Sequence, residues 1–197
     1  MRRIFMGMAV WALILLIVSV AMGSLVPPEA GKPLRWHMVV GLFTAFYVIL
    51  LHSIVFVHLL GTGLGVKRAL FEHRLPQDDI IRRLWTCKMA AYPPAFAVMV
   101  LTIMTAVGGG AVQAKALDSV WHALLAMSLI VANVLVFPIE LKQIDANAEV
   151  MAEVEAQIAA SAQPATATET AATTPSSPPA SRAAVTTTET TTEGSST

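Results

Sequence analysis

The chain has 197 residues, of which 55% are hydrophobic and 13% are charged, and its mean hydropathy is +0.65. Long uncharged apolar runs in such a composition are typical of an integral membrane protein and exclude an ordinary soluble domain. The formal net charge is zero, so no overall basic field favours nucleic acid, and the single cysteine, Cys87, excludes an internal disulfide, a thiolate metal cluster and a haem attached through two thiols.

Four apolar stretches are long enough to cross a hydrocarbon core of about 30 Å, since a helix rises by about 1.5 Å per residue. We predict membrane-spanning helices at residues 4–25, 37–60, 89–107 and 120–138. Residues that stop helices follow each stretch, namely Pro27-Pro28, Gly61-Thr62-Gly63, Gly108-Gly109-Gly110 and Pro138. The predicted fold is therefore an all-α bundle of four transmembrane helices over residues 1–138.

The basic residues predict the orientation, because Lys and Arg in short flanking loops stay on the cytoplasmic side. Arg2 and Arg3 precede the first span. The loop between the second and third spans carries Lys67, Arg68, Arg74, Arg82, Arg83 and Lys88, whereas the other two loops carry only Lys32, Arg35 and Lys115. We therefore expect a multi-pass protein of the cytoplasmic (inner) membrane with both termini in the cytoplasm.

The first apolar stretch has a second interpretation as a cleaved signal peptide. Arg2 and Arg3 would form its charged start, and Ser19-Val20-Ala21 would form its small-residue cleavage site. The apolar run is longer than the roughly 7 to 15 residues of a usual signal core, which favours a retained span.

The composition of the chain changes twice after Pro138. Residues 139–162 favour an amphipathic cytoplasmic helix, in which Ile144, Met151 and Ile158 recur every seven residues. From residue 163 to residue 197 the composition is dominated by Ala, Thr, Ser, Pro and Glu, so no core can form. We predict a disordered C-terminal tail there.

The second span carries three of the five histidines of the chain. His37, His52 and His58 lie within an arc of about 120° on one helix face, since each residue advances by about 100°. Tyr47 lies just beyond the edge of that arc. Polar groups on one face of a membrane helix point into the bundle, because lipid would leave them unpaired.

The fourth span carries a matching polar stripe. His122, Asn133 and Glu140 are separated by 11 and 7 residues, which places them within about 20° of one another. Trp36-His37 opens the second span and Trp121-His122 opens the fourth, and both openings are expected at the outer face. The two stripes should face each other in three layers: His37 with His122, His52 near Asn133, and His58 near Glu140.

This arrangement resembles the small four-helix membrane b-type cytochromes, in which histidines of different helices hold a haem. The resemblance covers the topology and the placement of His37 and His122. It implies one b-type haem between the second and fourth helices, because the fourth span has no further histidine for a second haem. His52 and Asn133 would then form a second layer or a quinone pocket.

Histidine and asparagine also serve as hydrogen-bonding contacts between membrane helices. From the sequence we therefore expect a non-catalytic subunit or assembly factor of a membrane complex, which contacts lipid and other membrane subunits, with the haem-binding redox subunit as the alternative. A divalent metal site and proton movement along His52, Asn133, His58 and Glu140 also stay open. The sequence has no HExxH motif and no Ser-His-Asp spacing, so we do not predict an enzyme acting on its own.

Reporter fusions test the predicted orientation. Fusions after Lys88 and after Glu149 should report the cytoplasm and a fusion at Lys115 should report the outside, because Lys and Arg are concentrated on the first side. A cytoplasmic signal at Lys115 would contradict this orientation.

Overall fold

The computed structural model describes residues 1–25 and 31–162, and within those ranges it contains four helices and no strand. The helices are α1 (Arg2–Leu25), α2 (Gly31–Glu72), α3 (Asp78–Gln113) and α4 (Ser119–Ala162). All four are long and apolar enough to cross a membrane. The predicted all-α fold, with four helices that could span a membrane, is therefore confirmed, and the predicted tail, residues 163–197, lies outside the described residues.

Three of the predicted helix ends are wrong, because the helices continue through the residues expected to stop them. α2 runs on through Gly61-Thr62-Gly63, α3 runs on through Gly108-Gly109-Gly110, and α4 runs on through Pro138. A glycine costs a helix about 1 kcal/mol and a proline about 3 kcal/mol, which burial of the flanking side chains outweighs. The helix predicted for residues 139–162 is thus the continuation of α4.

α2 and α4 contact each other, and each also packs against α1 and α3. Most of the core between them is apolar. It contains Val48, Leu51, Val55 and Leu59 of α2, Leu129, Val136, Phe137 and Ile144 of α4, a stripe of α1 (Phe5, Ala9, Ala12 and Leu16), and Ala91 and Val98 of α3. The α1 residues are spaced by three or four positions and so form one helix face.

Large apolar side chains also cover the outside of the bundle. Examples are Trp11 of α1, Phe46 and Val57 of α2, Phe96 of α3 and Leu135 of α4, all of which are more than half exposed. Soluble monomers rarely expose apolar surface on this scale. These outward faces are suited to contact with lipid, as expected for a multi-pass membrane protein.

α2, α3 and α4 continue together past the predicted spans and form a second apolar cluster, which we call the extension. Its buried residues are Val66 and Leu70 of α2, Ile80 and Leu84 of α3, and Val150 and Val154 of α4. Arg83 Nη1 donates a hydrogen bond of 2.5 Å to Glu153 Oε2 across α3 and α4. That carboxylate raises the pKa of the Arg83 guanidinium. The extension therefore has its own core and its own interhelical ion pair.

Leu70 and Phe71 offer a matched test of this second core. Leu70 is fully buried, whereas Phe71 is 77% exposed. Leu70→Ala should lower the free energy of unfolding by about 2–5 kcal/mol because it leaves a cavity, and Phe71→Ala should change it by no more than about 0.5 kcal/mol. Denaturation of the two variants in detergent measures both values, and equal losses would contradict the packing of the extension.

Candidate ligand site between α2 and α4

Buried polar side chains follow the interface between α2 and α4 at successive depths. Asn133, Glu140 and Asn147 are buried, and their spacing of seven residues keeps them on one face of α4. The first two were predicted to face α2. Asn147 was missed by the sequence analysis, although its distance of seven residues from Glu140 would have identified it.

His37 and His122 lie together at the end of the bundle where α2 and α4 begin. Their ring centroids are 6.4 Å apart and the ring planes are inclined at 74°. The Nδ1 atom of each ring is buried and has no hydrogen-bond partner. Most buried polar atoms in proteins have a partner. The predicted proximity of the two histidines is confirmed, and the pair is unusual in leaving two polar atoms unsatisfied.

Glycines on the neighbouring helices determine where the two imidazoles fit. A Cβ added at Gly23 of α1 would lie 2.8 Å from His37 Cε1, and one added at Gly109 of α3 would lie 3.1 Å from His122 Cε1. Both distances are shorter than ordinary contacts of a Cβ atom. Each ring therefore packs edge-on against the backbone of a flanking helix. The sequence analysis missed both roles, since it treated Gly109 only as part of a helix stop.

His52 is the centre of a second polar cluster, which is fully buried. Its Nδ1 lies 2.7 Å from Glu140 Oε1, and its Nε2 lies 3.3 Å from Asn133 Oδ1. The ring stacks on Phe137 with centroids 5.6 Å apart. His52, Asn133 and Glu140 are all 0% exposed. The predicted layer of His52 and Asn133 is therefore confirmed.

The predicted layer of His58 and Glu140 is wrong, because Glu140 binds His52. By helical rise, His52 lies about 22 Å below His37, between the levels of Asn133 and Glu140 at about 16 and 27 Å below His122. Nε2 of His52 thus reaches Asn133 above it, and Nδ1 reaches Glu140 below it. His58 is half-buried.

The third layer joins Thr62 to Asn147 instead. Asn147 Nδ2 donates a hydrogen bond of 2.9 Å to Thr62 Oγ1, and the Thr62 hydroxyl donates to the His58 carbonyl at 2.8 Å. Tyr47, which lay just beyond the predicted arc, donates its hydroxyl to the Met8 carbonyl of α1 at 3.3 Å. Neither His58 nor Tyr47 contributes its side chain to the clusters of His37 or His52.

The set of donor atoms distinguishes between kinds of ligand. Among the described residues, no group of three or more His, Cys, Asp and Glu side chains could hold a metal ion. A bare zinc ion usually needs four ligands. Haem iron already has the four nitrogens of the porphyrin and takes its axial ligands from the protein. His37 and His122 together provide two imidazoles, which is fewer than the ligands that a bare zinc ion usually has.

No protein-family model matches the chain, and neither does any curated protein or solved structure. The resemblance to the b-type cytochromes therefore extends no further than the four-helix topology and the pair of His37 and His122. Function must be inferred from the arrangement of the side chains.

Alanine at the two glycine positions tests the packing of the imidazoles. Gly23→Ala should lower the free energy of unfolding by about 1–3 kcal/mol, because a methyl group 2.8 Å from the ring forces the ring to move. Gly109→Ala should have a smaller effect, because its methyl group would lie 3.1 Å from the ring. Gly7 and Gly110 are matched controls, since a Cβ there meets nothing within 4 Å. Alanine at these two positions should stabilise the helix by about 0.5–1 kcal/mol.

Denaturation of the four variants in detergent gives the comparison. A gain in stability at all four positions would show that His37 and His122 are not held against Gly23 and Gly109.

Proposed function

We propose that the protein is a haem-binding subunit of a membrane redox complex, in which His37 and His122 hold one b-type haem between α2 and α4. One observation carries the proposal: two facing imidazoles each have a buried Nδ1 without a partner. Leaving a buried polar atom unsatisfied costs about 1–3 kcal/mol. A shared ligand that engages both rings gives a reason for keeping them in this position.

The two rings lie close enough for one ligand to reach both, since their centroids are 6.4 Å apart. The edge of His37 that carries Cε1 and both nitrogens lies against Gly23, and the same edge of His122 lies against Gly109. Each ring would therefore have to turn one nitrogen away from its glycine to bind a shared iron. Gly23 and Gly109 border the pair with backbone in place of side chains, so no side chain at these positions competes with the imidazoles.

A bound haem would supply one-electron transfer between ferric and ferrous iron. The protein would position the two imidazoles. α2 and α4 set the distance between the rings, and Gly23 and Gly109 set where each ring packs. With the orientation expected from Lys and Arg, the haem would lie near the outer face of the inner membrane. Trp36 and Trp121, which are 64% and 61% exposed, are suited to the headgroup level beside it.

A second candidate is a non-catalytic subunit that binds other membrane proteins. The extension supports this function, because its separate core and its Arg83–Glu153 ion pair give the protein a folded surface beyond the predicted spans. His52 also behaves as a structural contact would, with both ring nitrogens engaged. In this case His37 and His122 would hold no cofactor.

Absorption spectroscopy of three single variants tests the haem proposal. After expression with added haem, the wild-type protein should show the sharp reduced-minus-oxidised bands of a haem with two histidine ligands. His37→Ala and His122→Ala should each abolish these bands. His58→Ala is the matched control on α2 and should retain them, because His58 lies about 31 Å from His37 by helical rise.

Two outcomes would contradict the proposal in different ways. A colourless wild-type protein would exclude the haem and favour the partner-binding subunit. A coloured protein that keeps its spectrum after His122→Ala would show that other residues ligate the iron.

A further inference from the structure

The cluster of His52, Asn133 and Glu140 has no role in holding a haem at His37 and His122. Its hydrogen bonds nevertheless determine where its protons lie. Asn133 Nδ2 donates to the Leu129 carbonyl at 2.8 Å, so Asn133 Oδ1 is the atom that faces His52 Nε2. An amide oxygen only accepts hydrogen bonds. His52 Nε2 must therefore carry a hydrogen.

The opposite side of the ring faces Glu140. A neutral imidazole has one N–H, so when Nε2 carries the hydrogen, Nδ1 has a lone pair. Glu140 Oε1 lies only 2.7 Å from this Nδ1. Two lone pairs at that distance would repel each other, so a proton must lie between the two atoms. The pair thus holds one proton that either group could carry, and its net charge is zero.

The second carboxyl oxygen of Glu140 indicates which group carries the proton. Glu140 Oε2 is buried and has no hydrogen-bond partner. An ionised carboxylate carries charge on both oxygens, and a buried charge without a partner is far more costly than a neutral carbonyl in the same place. The unpartnered oxygen therefore favours the neutral form, in which Oε1–H donates to Nδ1.

Three other titratable groups of the bundle have partners of their own. Among the described residues, His52 is the only basic group that pairs with Glu140. Phe137 covers the imidazole and itself contacts Phe5 of α1. These three groups and their partners are Tyr47 with the Met8 carbonyl, Tyr92 with the Phe56 carbonyl, and Asp145 with Arg2. None of the three is hydrogen-bonded to Glu140 or His52.

We propose that Glu140 and His52 form a buried proton-binding site that releases and takes up one proton while the helices stay folded. On release, the O–H bond of Glu140 breaks and the proton passes to hydroxide in solution, which forms water. The resulting carboxylate and the Nδ1 lone pair repel each other, so these two atoms move apart. On uptake, the O–H bond forms again and the hydrogen bond from Glu140 to His52 is restored. The site requires no haem, so the result of its test does not depend on whether the proposed function is correct.

Infrared spectroscopy of the full-length protein tests this site. A protonated carboxyl group has a C=O band that is distinct from the bands of carboxylates. We expect this band at neutral pH in the wild type and after Glu155→Gln, a matched control at an exposed position of α4, and we expect its loss after Glu140→Gln. Raising the pH should remove the band reversibly while the circular dichroism of the helices is unchanged.

Measurements on the wild type alone keep the test decisive if Glu140→Gln does not fold. Nitrogen NMR of the histidines should show that His52 has a hydrogen on Nε2 and a lone pair on Nδ1. An imidazolium ring with no carboxyl band would overturn the neutral form. A carboxyl band that persists at high pH until the helices unfold would show that Glu140 never releases its proton in the folded protein. That result would overturn the proposal that the proton is released and taken up.

Discussion

A polar side chain inside a membrane bundle must find its partner within the protein, because lipid offers none. This constraint sets the register of α2 against α4. His52 bridges Asn133 and Glu140, and Thr62 binds Asn147 farther along the same interface. Sliding either helix along the other would leave a buried carboxyl or amide unpaired. The pair of His37 and His122 occupies the same interface, and its two Nδ1 atoms, like Glu140 Oε2, have no hydrogen-bond partner.

The two histidine clusters differ in their hydrogen bonding and therefore in the chemistry they support. Both ring nitrogens of His52 have hydrogen-bond partners, whereas His37 and His122 each have a buried Nδ1 without one. The clusters are about 22 Å apart by helical rise. At an effective dielectric constant of about 20, a unit charge at one site changes the energy of a charge at the other by about 0.8 kcal/mol, or roughly fourfold in affinity. A change of charge at one site should therefore have a modest effect on the other.

The sequence was sufficient to predict the features that depend on periodicity. Apolar runs predicted the four helices, and the spacing of His122, Asn133 and Glu140 predicted a polar face of α4 toward α2. It was not sufficient for the helix ends, because packing outweighs the local cost of Pro138 or of a glycine. The prediction that His58 lies near Glu140 was wrong. Counting residues places each side chain at one depth in the bundle, whereas the imidazole of His52 contacts partners at two depths. The contact of Gly23 with His37 could not be predicted, because it joins two helices and the residue spacing within one helix does not indicate which residues of another helix it meets.

Electron paramagnetic resonance of the oxidised wild-type protein tests most directly whether His37 and His122 share one haem. If both histidines hold the iron, the protein should give a low-spin ferric signal typical of two imidazole ligands, and added external imidazole should leave that signal unchanged because it would find no free ligand position. A high-spin ferric signal that external imidazole converts to low spin would show an open axial position and contradict ligation by both histidines.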